Sequence, residues 1–193
     1  MNRQKDRIET LIEQQKWPEA RRAIQEELKN DPENHWLLTR LSTTYYEQGD
    51  YQTALAWVEK ARERAPDCPL VLWDYAGTLD MLGREREALG VYCSLLQRGT
   101  RALVKDECGE GLDWALGLLT DCVYRAGQCL EDLKEPQRAA GLYRLYLNLV
   151  DLGAPSIYNR EVVVTRLRRV MRRRKQRMEQ TLDEAGKELV DAN

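Results

Sequence analysis

Apolar positions along this chain recur at intervals of three and four and break at regular turns. Leu38, Leu41 and Tyr45 make one such stripe, and Ala54, Val58 and Ala61 make the next, so the segment His35 to Cys68 predicts two amphipathic helices. Gly49 and Asp50 separate them, where a left-handed backbone and a capping oxygen are both useful. Pro66 stops the second, since it has no amide proton to continue a helix. Small residues at Ser42, Ala54 and Ala61 allow the two backbones to approach closely.

The same phase runs in both directions. Upstream, Ile8, Leu11 and Ile12 are followed by Ala20, Ile24 and Leu28, with Pro18 in a first helical turn. Pro32 precedes Pro66 by 34 residues, which predicts units of about 1–34 and 35–68. Downstream, Leu72, Tyr75 and Leu79, a turn at Gly83, then Ala88, Tyr92 and Leu95 make a unit at 69–102. An insertion over 103–119, containing Gly109 and Gly111, interrupts the register. A fourth unit at 120–153 follows, with Val123, Ala126, Gly127 and Leu130, then Pro136, Ala139, Tyr143 and Tyr146. Its first helix reads from near Leu112 to about Leu133, roughly 33 Å long. From Pro155 onward, over 155–193, Ile157, Val163, Leu167, Val170 and Met171, then Met178, Leu182 and Leu189, predict one long closing helix.

The run Leu38-x2-Leu41-Ser42-x2-Tyr45, Gly49-Asp50-Tyr51, Ala54-x3-Val58, Ala61, Pro66 resembles the tetratricopeptide repeat, whose 34-residue unit carries W-x2-L-G-x2-Y, A-x3-F and a closing proline. The resemblance implies an all-α, right-handed solenoid of helix-turn-helix repeats with a long C-terminal capping helix. It further implies a non-catalytic scaffold or adaptor that binds a peptide or helix of a partner protein in a concave groove lined by the first helices. By register that groove presents Lys5, Glu9, Trp36, Arg40, Thr43, Trp73, Asp74, Tyr124, Arg125 and Gln128. Trp36, Trp73 and Tyr124 are the expected anchors, and Arg40, Asp74 and Arg125 the expected source of selectivity. Burial of each tryptophan in the seam between helices is the competing expectation. One branch of the family clamps the carboxylates of chaperone tails. Here Lys5 is kept, but Glu9, Arg40, Leu70 and Asp74 replace the other clamp places, and the two acids repel a carboxylate. A secretion-type chaperone is a further reading.

Charge adds a second candidate surface. Net charge is only -2, yet the segment from Ser156 to Met178 holds nine Arg or Lys and one acid, a local +8. Residues 1–155 carry -6 and 179–193 carry -4. Arg166, Arg169, Arg172, Arg173, Arg174 and Arg177 therefore form a basic helix face, read as a protein-interaction helix, as an intramolecular partner of the acidic array, or as a nucleic-acid contact. The lack of aromatics from Arg160 to Met178 counts against single-stranded nucleic acid. Self-pairing of the distal helix is a route to a homo-oligomer.

Five cysteines contain no C-x-x-C pair and His35 is the only histidine, so spacing offers no zinc site, and no metal or cofactor is expected. Buried thiols in a reducing compartment are the expectation for the cysteines. No Gly-rich phosphate loop and no nucleophile with a placeable histidine point to an enzyme. Glu107, Glu110 and Asp113 around Cys108 are the one place where unexpected chemistry is sought. The charged N-terminal stretch lacks the apolar run of a signal peptide or a membrane span, which predicts a cytoplasmic protein.

Overall fold

The computed structural model describes residues 2–191, with side chains undescribed at 2, 174, 177, 185, 186 and 188–191. Arg174, Arg177 and Leu189, singled out above, thus lie outside the residues whose side chains are described. All regular structure among the described residues is helical: α1 (Asn2–Glu13), α2 (Trp17–Asn30), α3 (His35–Tyr46), α4 (Tyr51–Arg64), α5 (Pro69–Met81), α6 (Glu85–Val104), α7 (Leu112–Asp132), α8 (Pro136–Asp151) and α9 (Arg160–Asp191). The chain divides into two units. The first runs to Leu95 and includes Lys105–Gly109; the second comprises Leu96–Val104 and everything from Glu110.

The first unit is a stack of helical hairpins whose ends are set by local chemistry. Asn34 caps α3 by accepting from the Leu37 amide at 3.2 Å, and Asp50 caps α4 by accepting from the Thr53 amide at 3.1 Å. Gln15, Gly49 and Gly83 stand 34 residues apart in the three hairpin turns, all left-handed, with φ of 56°, 79° and 72°. The turn geometry therefore repeats even where the residue does not, because glycine only lowers the cost of a backbone shape that the hairpin imposes. Ile8, Ile24, Leu37 and Leu41 form a buried cluster, with Trp36, Tyr45 and Trp57 packed around it. Ala54, Val58 and Ala61 are wholly buried, and the Ser42 hydroxyl donates to the Ala54 carbonyl at 2.8 Å across the hairpin. Full burial of a side chain such as Leu41 contributes about 1.5–3 kcal/mol.

In the second unit α7 and α8 form a hairpin and α9 packs along α8. Gly127 permits the close crossing: a β-carbon there would stand 2.8 Å from the Tyr143 ring. The α7–α8 turn is again left-handed, at Lys134 with φ 64°. At Gly99, φ 70° and ψ 167° break α6, so its last turn is not a continuation of the same helix. The closing helix starts later than its apolar stripe suggests. It begins at Arg160 rather than Pro155, because Asn159 is the helix cap, its side chain accepting from the Glu161 amide at 2.7 Å. Val163 and Val170 are buried, whereas every described side chain beyond Met171 is exposed.

Candidate functional site

In the first unit, α1, α3 and α5, the first helices of its three hairpins, carry a ladder of polar and aromatic groups. Trp36 is half-buried against the core, with Lys5 Nζ 4.9 Å and Arg40 Cζ 5.5 Å from its ring centre. Arg40 Nε donates to Glu9 Oε1 at 2.7 Å, tying α3 to α1. Thr43 Oγ1 donates to Asp74 Oδ2 at 2.8 Å, tying α3 to α5. Both bonds join residues 31 positions apart, so one interaction pattern passes from each first helix to the next. Trp73 is half-buried and meets Tyr92 edge-on, with ring centres 5.7 Å apart.

Asp74 is the electrostatic anomaly of this face. Burial pushes its carboxyl up to about 6, against the opposing pull of the Arg40 cation and the Thr43 hydrogen bond, while Glu47 and Glu9 push in the same direction as burial. A carboxylate placed where its charge is poorly compensated costs stability, and such costs concentrate at functional sites. Lys5, Glu9, Trp36, Arg40, Thr43, Trp73 and Asp74, all expected in the groove, therefore share the inner helices of one unit.

The second unit corrects the expectation for Tyr124. This residue is 3% exposed and cannot serve as an open anchor. Its ring lies 4.3 Å from that of Tyr158, 5.5 Å from Tyr146 and 6.0 Å from Tyr143. The cover is the chain's own segment 155–158. Pro155 packs on Gly117, Ser156 Oγ donates to Asp121 Oδ1 at 2.5 Å, and the Ile157 amide reaches Asp121 Oδ2 at 3.4 Å. The Tyr146 hydroxyl donates to the Tyr158 carbonyl at 2.8 Å. Along α7 the places at 117, 121 and 124 are thus filled from within. Arg125 and Gln128 are half-buried on the same helix.

Part of the basic helix face is also engaged inside the unit. Arg169 Nη2 donates to Glu131 Oε1 at 2.6 Å and Arg166 Nη1 to Glu131 Oε2 at 3.1 Å, with Arg173 more distant at 3.9 Å. Tyr143 also donates to Glu131, at 2.9 Å. Burial alone would raise the Glu131 carboxyl, but the Tyr143 hydrogen bond and the Arg169 and Arg166 cations outweigh it and hold the group below its ordinary value. Arg172 is exposed.

A third constellation was not legible in the spacing. His35, Cys68 and Cys108 present their ligating atoms within 4.8 Å of one another, all in the first unit. His35 Nε2 lies 3.2 Å from Cys108 Sγ. Burial and the adjacent Cys68 thiol push the Cys108 thiol up to about 12, so it is no nucleophile as it stands. The three residues come from the start of α3, the residue before α5 and the loop before α7, a convergence that only the fold creates.

Among known families, the tetratricopeptide repeat model matches residues 6–69 and 39–100. No curated protein sequence matches the chain. Among solved structures it is similar to MamA of Desulfovibrio magneticus RS-1, at 12% identity and a TM-score of 0.61, covering 91% of this chain and 95% of that one. The repeats of a putative kinesin light chain from Podosopora anserina align at 15% identity and a TM-score of 0.63, over 95% of this chain and 91% of that one. A Rap protein complexed with competence and sporulation factor aligns at 14% identity and a TM-score of 0.63, over 90% of this chain and 48% of that one. At these identities the likeness is one of fold.

Proposed function

Since this chain is a tetratricopeptide repeat protein, we propose that it is a non-catalytic, cytoplasmic scaffold that takes a segment of a partner protein on the inner face of α1, α3 and α5. The repeat family serves protein interaction in general; the choice of face is specific to this chain. The observation that carries it is the pair of links between successive first helices, Arg40 to Glu9 and Thr43 to Asp74, with half-buried Trp36 and Trp73 on the same helices α3 and α5. The two indoles offer apolar area that a guest completes, and Asp74 offers a charge that a guest lysine or arginine compensates. Arg40 stacks on Trp36 and is fixed by Glu9, so it is positioned before a guest arrives. The matching stretch of α7 is closed by the chain's own 155–158 segment, which supports the first unit as the receiving surface. Among the described residues no helix is long and apolar enough to cross a membrane.

The nucleic-acid reading of the basic helix is the weaker one, because Arg166 and Arg169 already compensate Glu131. The docking face is tested by combining Trp36→Ala with Trp73→Ala and recovering partners by affinity capture. Loss of two anchors is expected to reduce retention at least about tenfold, with the helical circular-dichroism signal kept. Unchanged capture of every partner by the double variant overturns the assignment.

A further inference from the structure

We propose that His35, Cys68 and Cys108 form a three-ligand site for a thiophilic cation, zinc(II), with solvent at the fourth position. Two sulfurs and one imidazole nitrogen are the donor set that a borderline-soft ion with no redox chemistry prefers. Zinc bonds of about 2.3 Å to sulfur and about 2.0 Å to nitrogen place tetrahedral ligands roughly 3.5–3.8 Å apart. The separation of 3.2 Å between His35 Nε2 and Cys108 Sγ, and the outer limit of 4.8 Å for the whole set, bracket that spacing. Small rotations of side chains therefore complete the geometry, and no backbone need move.

The surroundings fit a binding site better than three coincident core residues. Cys68 is buried while His35 and Cys108 are half-buried, which gives the cation one dry side and one open approach. His35 is held as the first residue of α3 by the Asn34 cap, and the Cys108 amide donates to Asp106 Oδ1 at 3.0 Å, which sets the turn that presents the thiol. A buried cysteine acting as a small hydrophobe has no need of the chain's single histidine. Here His35 Nε2 stands 3.2 Å from the Cys108 sulfur, which the Cys68 thiol meets as well.

Charge and proton balance follow directly. On binding, both thiols release their protons to solvent, and two thiolates neutralise the dication, so no net charge is left in the half-buried site. The bound ion joins the Lys105–Gly109 loop to the starts of α3 and α5. It acts as a clip within the first unit, independent of the docking face proposed above.

The full-length chain, reduced and freed of metal by a chelator, is titrated with zinc in competition with a chromogenic chelator, and in parallel with cobalt(II) as a spectroscopic stand-in. Uptake of one zinc per chain and a sulfur-to-cobalt charge-transfer band are expected. Cys108→Ser and His35→Gln are each expected to weaken uptake at least about a hundredfold, with helical content unchanged, whereas Cys93→Ser leaves it intact. Failure of the reduced chain, its thiols shown free by alkylation, to take zinc from the chelator overturns the site. So does uptake that Cys108→Ser leaves unaltered. Recovery of a Cys68–Cys108 disulfide, with no zinc uptake after its reduction, assigns the pair to cross-linking instead.

Discussion

Replacing Glu131 with alanine is expected to lower unfolding stability by about 2–3 kcal/mol. Removing one partner of a buried ion pair typically costs about 3–5 kcal/mol, and the lower figure applies because the Arg166 and Arg169 side chains keep 28% and 49% of their exposure. The loss has two parts. Tyr143, fully buried, is left with a hydroxyl whose acceptor is gone, and two guanidinium groups on α9 lose the charge that holds them to α7. The contribution is also pH-dependent. Because the folded carboxyl sits below its ordinary value of 4.5, its stabilisation is fully present above that value and is lost as pH falls through the lower, folded pKa. Urea unfolding of the wild type and of Glu131→Ala at pH 7 and in acid measures both effects. The gap is expected to be largest at pH 7 and to shrink below pH 4.5. A variant as stable as the wild type at pH 7 contradicts the role given to this carboxylate.

Asp74→Asn is expected to move stability in the opposite direction, raising it by about 2 kcal/mol at pH 7.5. The folded carboxyl is pushed up to about 6 from an ordinary 3.8, so the native state binds a proton more tightly than the unfolded chain. The destabilisation is therefore complete above pH 6 and is relieved as pH falls from 6 toward 3.8. An asparagine accepts the Thr43 hydrogen bond without a charge to bury. Thermal unfolding is expected to show a higher midpoint for the variant at pH 7.5 and a much smaller difference at pH 4.5. Affinity capture is expected to show weaker binding by the same variant, since the charge offered to a guest is gone. A residue that costs stability and whose removal costs binding is acting in recognition. If Asp74→Asn leaves both stability and capture unchanged, the carboxylate has no such part.

How much of this was legible beforehand depends on the range of the interaction. Local features were: Pro32 and Pro66 mark the repeat length, Asp50 caps where a cap was expected, and α7 spans Leu112–Asp132, close to the limits read from its apolar pattern. The places of Glu9, Trp36, Arg40, Thr43, Trp73 and Asp74 on α1, α3 and α5 follow from register, because a repeat of fixed length returns the same positions every unit. Gln15 and Lys134 concealed two turns, since their left-handed backbones are imposed by hairpin closure and not announced by glycine.

Tyr124 failed for a different reason. Its burial depends on Pro155–Tyr158 lying across α7, and that stretch shares the apolar period of the following helix, which hides the Asn159 cap in the sequence. The cluster of His35, Cys68 and Cys108 was invisible because its members sit on three separate segments, and ligand spacing is informative only when ligands are neighbours in sequence.

The central claim is that the inner face of the first unit receives the partner. A photo-crosslinking residue at position 47, an exposed site whose native Glu47 acts on Asp74 through its charge, reports on that face. The same residue at position 25 reports on the groove of about 360 Å³ lined by Gln25, Leu38 and Trp57. Irradiation in cells is expected to join a partner protein at position 47 and not at position 25. Cross-linking from position 25 with none from position 47 contradicts the claim.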